Sequence, residues 1–218
     1  MLALHRAKER GLPIAGLLCM LEETGERTRS HGVPRALVVE QARALGLPIV
    51  TPQASWQDYE AVFTQALRRL AGEGVTDVVF GDIDLDPHRQ WEERVCAAAG
   101  LRAHLPLWHV SRAEAVRDVL ALGYRARVVC VNGKWLGESY AGRLFDDAFL
   151  RDLPDGVDAC GENGEFHTFV FDGPLFEAPV QHRVSEVVRH DAKHAWGDAT
   201  YFFAVLAPLG PSRIDSPL

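Results

Sequence analysis

The chain has 218 residues, with 23 basic and 30 acidic side chains and a formal net charge of −7. Hydrophobic residues make up 47% and charged residues 24%, the balance of a soluble globular protein rather than a disordered or coiled-coil one. The acidic balance, without a long basic run, argues against DNA as a partner. No apolar run approaches the roughly 18 to 20 residues of a membrane span, and no signal peptide is recognisable, so we expect a cytoplasmic protein without a membrane partner.

The four cysteines are Cys19, Cys96, Cys130 and Cys160. They are widely separated and form no Cys-x-x-Cys pair, so their spacing points neither to a zinc ribbon nor to a disulfide framework. We therefore expect buried thiols.

From Pro13 to Val131, short apolar runs alternate with amphipathic segments, which predicts a parallel sheet covered by helices. The predicted strands are residues 14–21, 47–51, 78–80 and 125–131. The run at 14–21 contains no polar side chain apart from a thiol, so we expect a central strand that is buried on both faces.

The segments between these strands begin with typical helix-start residues. These are Pro34, Ser55, the pair Asp86 and Pro87, and the capping box of Ser111 with Glu114. Residues 1–10 also have a helical pattern, but no strand precedes them. Because an α/β sheet usually opens with a strand and a phosphate-binding turn, we expect either a protein that extends upstream of Met1 or a truncation that has lost its anion site.

After about Asn132, glycine and acidic residues become more frequent. The strands predicted there, 166–171, 180–189 and 200–206, are separated by turn signals, which predicts a smaller α+β domain. We place the domain boundary between 1–133 and 134–218 and expect residues 208–218 to be a loose tail. His182, His190 and His194 are spaced too irregularly for a metal site and are predicted to be solvated loop histidines.

The strongest local motif is Cys160-Gly161-Glu162-Asn163-Gly164-Glu165-Phe166-His167-Thr168. Two carboxylates, an amide and an imidazole crowd one glycine-rich turn before a strand. Such carboxylates can hold Mg²⁺, orient an amine or act as general bases. The alternative is a tight turn with a solvated acidic face, and the spacing alone leaves both open.

A second candidate is the loop after the predicted strand 78–80. Gly81 and Asp82 come directly after this strand, at the carboxyl edge where open α/β sheets bind ligands. Asp82 has the chemistry to hold a ribose hydroxyl or a metal. Asp84 and Asp86 follow closely, and we interpret these two as an acidic loop that caps the next helix.

Two weaker candidates lie at other predicted strand ends. Ser30, His31 and Gly32 end the loop after the first strand, although a single loop histidine is more often structural. Trp108 follows another strand, where it either stacks on a planar ring or packs in the core.

Taken together, these segments resemble the diphthine–ammonia ligase family, which belongs to the adenine-nucleotide alpha-hydrolase (N-type ATP pyrophosphatase) group. The resemblance runs from Met1 to about Val180, and its most specific segments are 161–168, 79–83, 30–33 and 105–108. It implies a Rossmann-like (HUP-type) ATP-binding domain followed by a smaller substrate domain. It also implies that ATP adenylates a carboxylate with release of pyrophosphate, and that ammonia then displaces AMP to form an amide.

The resemblance implies three groups of site residues. Catalytic residues are Glu162, Asn163, Glu165 and His167, with Glu165 and His167 both candidates for proton handling. Nucleotide-binding residues are Gly81, Asp82, His31 and Gly32. Substrate-binding residues are Gly161, Gly164, Thr168 and Trp108. The expected cofactors are ATP and Mg²⁺, and the expected partners are a carboxylate acceptor and ammonia, with a homodimer as a candidate assembly.

The chain departs from the family pattern at its start. The family opens with a strand and a Ser-Gly-Gly-Lys-Asp-Ser phosphate loop, whereas this sequence resembles the stretch that follows that loop. Two alternatives to the ligase therefore stay open: hydrolysis at the nucleotide alpha phosphate, and a non-catalytic nucleotide- or partner-binding module. The ligase interpretation expects the turn at 162–165 to face Asp82 across a shared cleft.

Overall fold

The computed structural model describes residues 1–194 and 197–209. The chain divides into two compact units, one of Met1–Gly25 with Leu47–Val119 and one of Glu26–Gly46 with Leu120–Leu218. The boundary expected between residues 133 and 134 remains a prediction. Most of the tail predicted at 208–218 lies outside the described residues.

Helices and strands alternate through the first part of the chain, and strands dominate the last part. The helices are α1 (Leu2–Glu9), α2 (Arg35–Ala44), α3 (Tyr59–Gly72), α4 (Asp86–Ala98), α5 (Arg112–Ala121) and α6 (Asp147–Arg151). The strands are β1 (Leu17–Leu18), β2 (Ile49–Val50), β3 (Asp77–Val79), β4 (Arg102–His104), β5 (Arg125–Asn132), β6 (Phe166–Asp172), β7 (His182–His194) and β8 (Gly197–Pro208). This mixed pattern confirms the α/β class.

The first unit contains parallel strand pairs. Strand β1 pairs with β2 and β3 pairs with β4, each as a two-stranded sheet. Its core is built mainly from α3, α4 and the adjoining strand ends, and comprises Met20, Ala54, Phe63, Leu67, Val95, Cys96 and Leu101. Helix packing on parallel strands therefore matches the expectation, in two short sheets rather than a continuous one.

The prediction of a long central strand at residues 14–21 was wrong. Strand β1 covers only Leu17–Leu18, both half-buried, and Gly16 beside it is exposed. In the described residues β1 pairs with β2 alone, so it has no strand on its other side. An apolar run indicates that side chains are buried, but it does not show that the backbone is a strand. Here Met20 and Leu21 are buried although they lie outside β1.

The second unit is built on a four-stranded antiparallel sheet with the order β6-β5-β8-β7. The prediction that 125–131 closes the parallel alternation was therefore wrong, because β5 runs antiparallel to both β6 and β8. Its neighbours are strands without crossover helices, which is the arrangement that allows antiparallel pairing. Helix α2 belongs to this unit, and its Gln41 Nε2 donates to the carbonyl of Val170 at 2.6 Å.

Several side chains occupy surroundings other than those predicted. His182 and His190 lie on strand β7 rather than in loops, and the side chain of His194 lies outside the described residues. Cys96 and Cys130 are buried as expected, whereas Cys19 and Cys160 are only half-buried. No helix in the described part of the chain has the length and apolar character needed to cross a membrane.

Candidate functional site

The glycine-rich turn of the second unit is organised around a buried carboxylate. Glu165 is fully buried, at 0% exposure. Its Oε1 accepts hydrogen bonds from the backbone N–H of Asp158 at 3.2 Å and from Asn163 Nδ2 at 3.0 Å. Its Oε2 accepts from the backbone N–H of Asn163 at 2.9 Å. Because these donors all belong to the turn, Glu165 fixes the backbone that presents the rest of the motif.

Asp158 supplies a second set of acceptors on the other side of the turn. Its carboxylate accepts from the backbone N–H of Cys160 at 3.0 Å and of Glu162 at 3.2 Å. The Gly161 backbone has a φ of +75°, and a Cβ there would lie 2.9 Å from the carbonyl oxygen of Phe166. Only glycine fits this close approach without strain.

The remaining motif residues point to different surroundings. Asn163 and Gly164 are exposed and Glu162 is half-buried. His167 and Thr168 lie on β6, where they pair across the ladder with Cys130 and Val128. The turn therefore offers an amide and a carboxylate near the surface, next to an imidazole that the sheet holds.

A second loop brings His31 to the same place. The ring centroids of His31 and His167 are 4.6 Å apart, with the planes tilted by 41°. Burial, together with the neighbouring His167, lowers the pKa of His31 to about 3. Burial also lowers the pKa of His167. Both imidazoles are therefore neutral at physiological pH.

Gly32 fits the loop closely onto the sheet. Its φ is +66°, and a Cβ would lie 2.9 Å from Cδ1 of Phe203 on β8. Phe203 pairs with Cys130, which in turn pairs with His167 on β6. The structure thus unites His31 and Gly32, predicted as nucleotide contacts, with the predicted catalytic His167 on one row of the sheet. Their contact with a nucleotide remains a prediction.

The first unit holds the other predicted residues at the ends of β3 and β4. Asp82 Oδ1 lies 2.7 Å from His88 Nδ1, and Gly81 beside it is exposed. Glu92 on α4 is buried, at 4% exposure. Burial, together with the hydrogen bond and negative charge of Asp82, raises the pKa of Glu92 to about 9. Glu92 is therefore a neutral acid at pH 7.

The loop after β4 packs against the loop after β3. His109 donates its backbone N–H to the carbonyl of Ile83 at 2.8 Å, with the φ of His109 at 65°. The guanidinium carbon of Arg89 lies 4.9 Å from the ring centroid of Trp108. One face of Trp108 is thus covered by a cation, a common arrangement for arginine on indole.

Among the residues that the structure describes, three buried polar atoms in this part of the first unit have no hydrogen-bond partner: Arg89 Nε, Glu92 Oε2 and Trp108 Nε1. Arg89 Nε does form an ion pair with Glu93 Oε1 at 3.6 Å. Because a buried polar atom without a partner costs about 1–3 kcal/mol, such atoms are expected where a ligand or water completes the set. Sequence reasoning missed Glu92 and Arg89. Only the position of Glu92, four residues after His88 and three after Arg89 on the predicted helix, could have indicated that these side chains lie on one face.

Comparison with known families decides the relationship. Models of the diphthamide synthase N-terminal and C-terminal domains match residues 1–103 and 111–205. The chain belongs to the diphthamide synthase family. This confirms the family that the motifs at 30–33, 79–83, 105–108 and 161–168 indicated.

Relatives of this diphthamide synthase family chain carry the name diphthine–ammonia ligase. The human protein is 31% identical over 125 residues, which cover 55% of this chain and 47% of the human one. The mouse protein is 31% identical over 147 residues, covering 65% and 52%, and the zebrafish protein 32% over 124 residues, covering 53% and 48%. The chain spans about half the length of these curated relatives.

Proposed function

We propose that this chain carries the carboxylate-activating and amide-forming centre of an ATP-dependent ligase. Family membership and the ligase names of the relatives support this reaction class. The observation that carries it is the turn in which buried Glu165 fixes a backbone presenting Glu162, Asn163 and His167. A loop so heavily cross-braced positions reactive groups more tightly than a connection needs.

The proposed reaction begins with a carboxylate, which is a poor electrophile until one oxygen becomes part of a good leaving group. Attack of that oxygen on the alpha phosphorus of ATP gives an acyl adenylate and pyrophosphate. Ammonia nitrogen then attacks the carbonyl carbon, and the bond to the AMP oxygen breaks. The nitrogen loses its extra proton to water, leaving an amide and AMP.

The contacts divide the roles of the motif residues. Glu165 is a positioning residue, because both its oxygens already accept hydrogen bonds from the turn. Glu162 attracts the ammonium ion by its charge, and the Asn163 amide orients the acceptor. His167 accepts the proton that ammonium must lose before its nitrogen can attack, since a neutral imidazole has a free lone pair. Gly161 and Gly164 allow the backbone to approach the acceptor, and Thr168 lies beside it.

Nucleotide binding is proposed for the first unit, within a Rossmann-like domain. Gly81 and Asp82 end β3 at the edge where such folds hold nucleotides. Glu92 Oε2 and Trp108 Nε1, which have no hydrogen-bond partner in the described residues, fit a ligand that offers both donors and acceptors, as adenine and ribose do. Within the described residues no cluster of three or more His, Cys, Asp or Glu could hold a metal. The proposal therefore assigns Mg²⁺ no protein ligand.

The test is a product assay on the protein. With ATP, ¹⁵N-ammonium and a panel of carboxylate acceptors that includes diphthine, we expect AMP, pyrophosphate and ¹⁵N-amide in equal amounts. Glu162→Gln should raise the KM for ammonium about tenfold, the loss of roughly one charge-assisted hydrogen bond. The matched control Glu60→Gln removes an exposed carboxylate paired with Arg94 and should leave that KM unchanged.

Two outcomes would replace the proposal. AMP formation that needs neither acceptor nor ammonium would identify a nucleotide alpha hydrolase. ATP binding without turnover against the whole panel would identify a non-catalytic nucleotide-binding module.

A further inference from the structure

We propose that His31 is a positioning residue for amide formation, which holds the His167 ring in place as the neutral proton acceptor for ammonium. This inference rests on the proposed function of the second unit. It gives His31 a role beside the acceptor, in place of the nucleotide contact that the family resemblance implied. Ammonium transfers one proton to a ring nitrogen of His167, and the resulting ammonia carries the lone pair that attacks the acyl carbon. As the bond to the AMP oxygen breaks, the nitrogen loses its remaining extra proton to water.

Hydrogen bonds within the loop close the segment that carries His31. The backbone N–H of Thr28 donates to the carbonyl of Val33 at 2.8 Å, and the N–H of Val33 donates back to Thr28 Oγ1 at 3.0 Å. Gly32 donates its N–H to the carbonyl of Thr28 at 3.1 Å. Thr28 is buried, so these bonds are shielded from water. The His31 backbone is therefore fixed without any help from its own side chain.

The loop that carries His31 packs directly on the sheet. The Gly32 backbone rests on the Phe203 ring so closely that a Cβ would overlap it, at 2.9 Å. Phe203, Cys130 and His167 are successive partners across β8, β5 and β6. The side chains of antiparallel partners lie side by side on one face of the sheet. The loop and His167 therefore contact the same row of residues across the sheet.

The imidazole rings of His31 and His167 are in contact. At a centroid separation of 4.6 Å the rings touch, and His31 covers part of the His167 ring. Within the described residues neither imidazole has a carboxylate partner that would favour its charged form. Two titratable groups contact the elements around these rings. Arg27 Nη1 lies 3.3 Å from the carbonyl oxygen of Gly32, and the ring centroid of His190 lies 6.3 Å from that of Phe203. A ring without an anionic partner needs another restraint, and His31 supplies it by packing.

The experiment compares His31→Ala and His31→Phe with the wild-type protein. We expect His31→Ala to lower kcat for amide formation between about tenfold and a hundredfold, the cost of misplacing a catalytic group by about 1 Å, with the KM for ATP unchanged. It should also move the acid limb of the pH profile to higher pH, because hydration returns the pKa of His167 towards its usual value. His31→Phe keeps a flat ring and should retain most of the activity and the original acid limb.

Two readouts keep this inference separate from the proposed function. NMR titration of the His167 ring in the wild type and in His31→Ala follows its pKa without turnover, and a rise on substitution is expected even if the acceptor has not been found. In the double variant with His167→Gln, the loss from His31→Ala should disappear. A raised KM for ATP with unchanged kcat, or an unchanged titration of His167, would overturn the role of His31. Full activity of His167→Gln alone would instead overturn the proton-acceptor role in the proposed function.

Discussion

The buried carboxylate of Glu165 allows a quantitative prediction. In Glu165→Gln an amide NH₂ replaces one carboxylate oxygen, so a donor must face a donor. With the NH₂ at the Oε2 position one hydrogen bond is lost, that from the backbone N–H of Asn163. With the NH₂ at the Oε1 position two are lost, from Asp158 N–H and from Asn163 Nδ2. The variant should adopt the first arrangement.

The cost follows from this count. One hydrogen bond to a charged acceptor contributes about 1.5–3 kcal/mol, and the stranded N–H lies beside a group with no access to water. We expect Glu165→Gln to destabilise the turn by roughly 2–3 kcal/mol, which corresponds to about a 30- to 150-fold faster hydrogen exchange at the Asn163 amide. Native-state exchange followed by NMR measures this directly, since it reports local opening rather than the melting of either unit.

The matched control is Glu73→Gln, which removes an exposed carboxylate paired with Arg69 on the same helix face. Such a pair contributes about 0.3–0.5 kcal/mol, so exchange at Asn163 should not change. If Glu165→Gln exchanged at Asn163 within threefold of the wild type, Glu165 would not brace the turn, and the separation of its role from that of His167 would fail.

Further predictions concern Gly32, Glu92 and Thr28. Gly32→Ala places a Cβ against Phe203 at a positive φ and should cost about 1–3 kcal/mol of stability in urea unfolding, a cost that Gly164→Ala, with open space around it, should not fully match. Because the pKa of Glu92 is raised in the folded state, stability should fall as pH rises from about 4.5 to about 9, and Glu92→Gln should abolish that dependence in unfolding at pH 5, 7 and 9. Thr28→Val strands the Val33 N–H and should speed exchange at that amide, whereas an unchanged rate would contradict the loop closure.

Local chemistry made the helices predictable. Pro34 precedes α2, and Ser111 Oγ accepts the N–H of Glu114 at 3.2 Å at the start of α5. These signals act within one turn, so they survive whatever the rest of the chain does. The strands were harder, because the pairing of β5 with β6 and β8 depends on residues far away in the sequence.

The candidate site shows the same division. The motif at 160–168 was visible because its residues are contiguous and chemically unusual. The buried, neutral state of Glu92 could not be predicted, since a glutamate on a helix gives no sign of burial until the opposing loop is placed. The meeting of His31 with His167 likewise needs the fold, because a loop and a strand far apart in sequence must first be brought together.

The path of the chain between its units constrains how the protein can be assembled and dissected. Residues 26–46 leave the first unit, contribute α2 to the second and return before α3 begins. The side chain of Gln41 donates a hydrogen bond to the carbonyl of Val170, and the carbonyl of Ala44 accepts one from the N–H of Glu177, so both bonds need residues that are synthesised much later. On the ribosome α2 must therefore wait, unsupported, for more than half of the sequence to be synthesised. A protein expressed from residues 120–218 alone would lack α2, which covers β8. To produce the second unit separately, residues 26–46 must therefore be joined to residues 120–218.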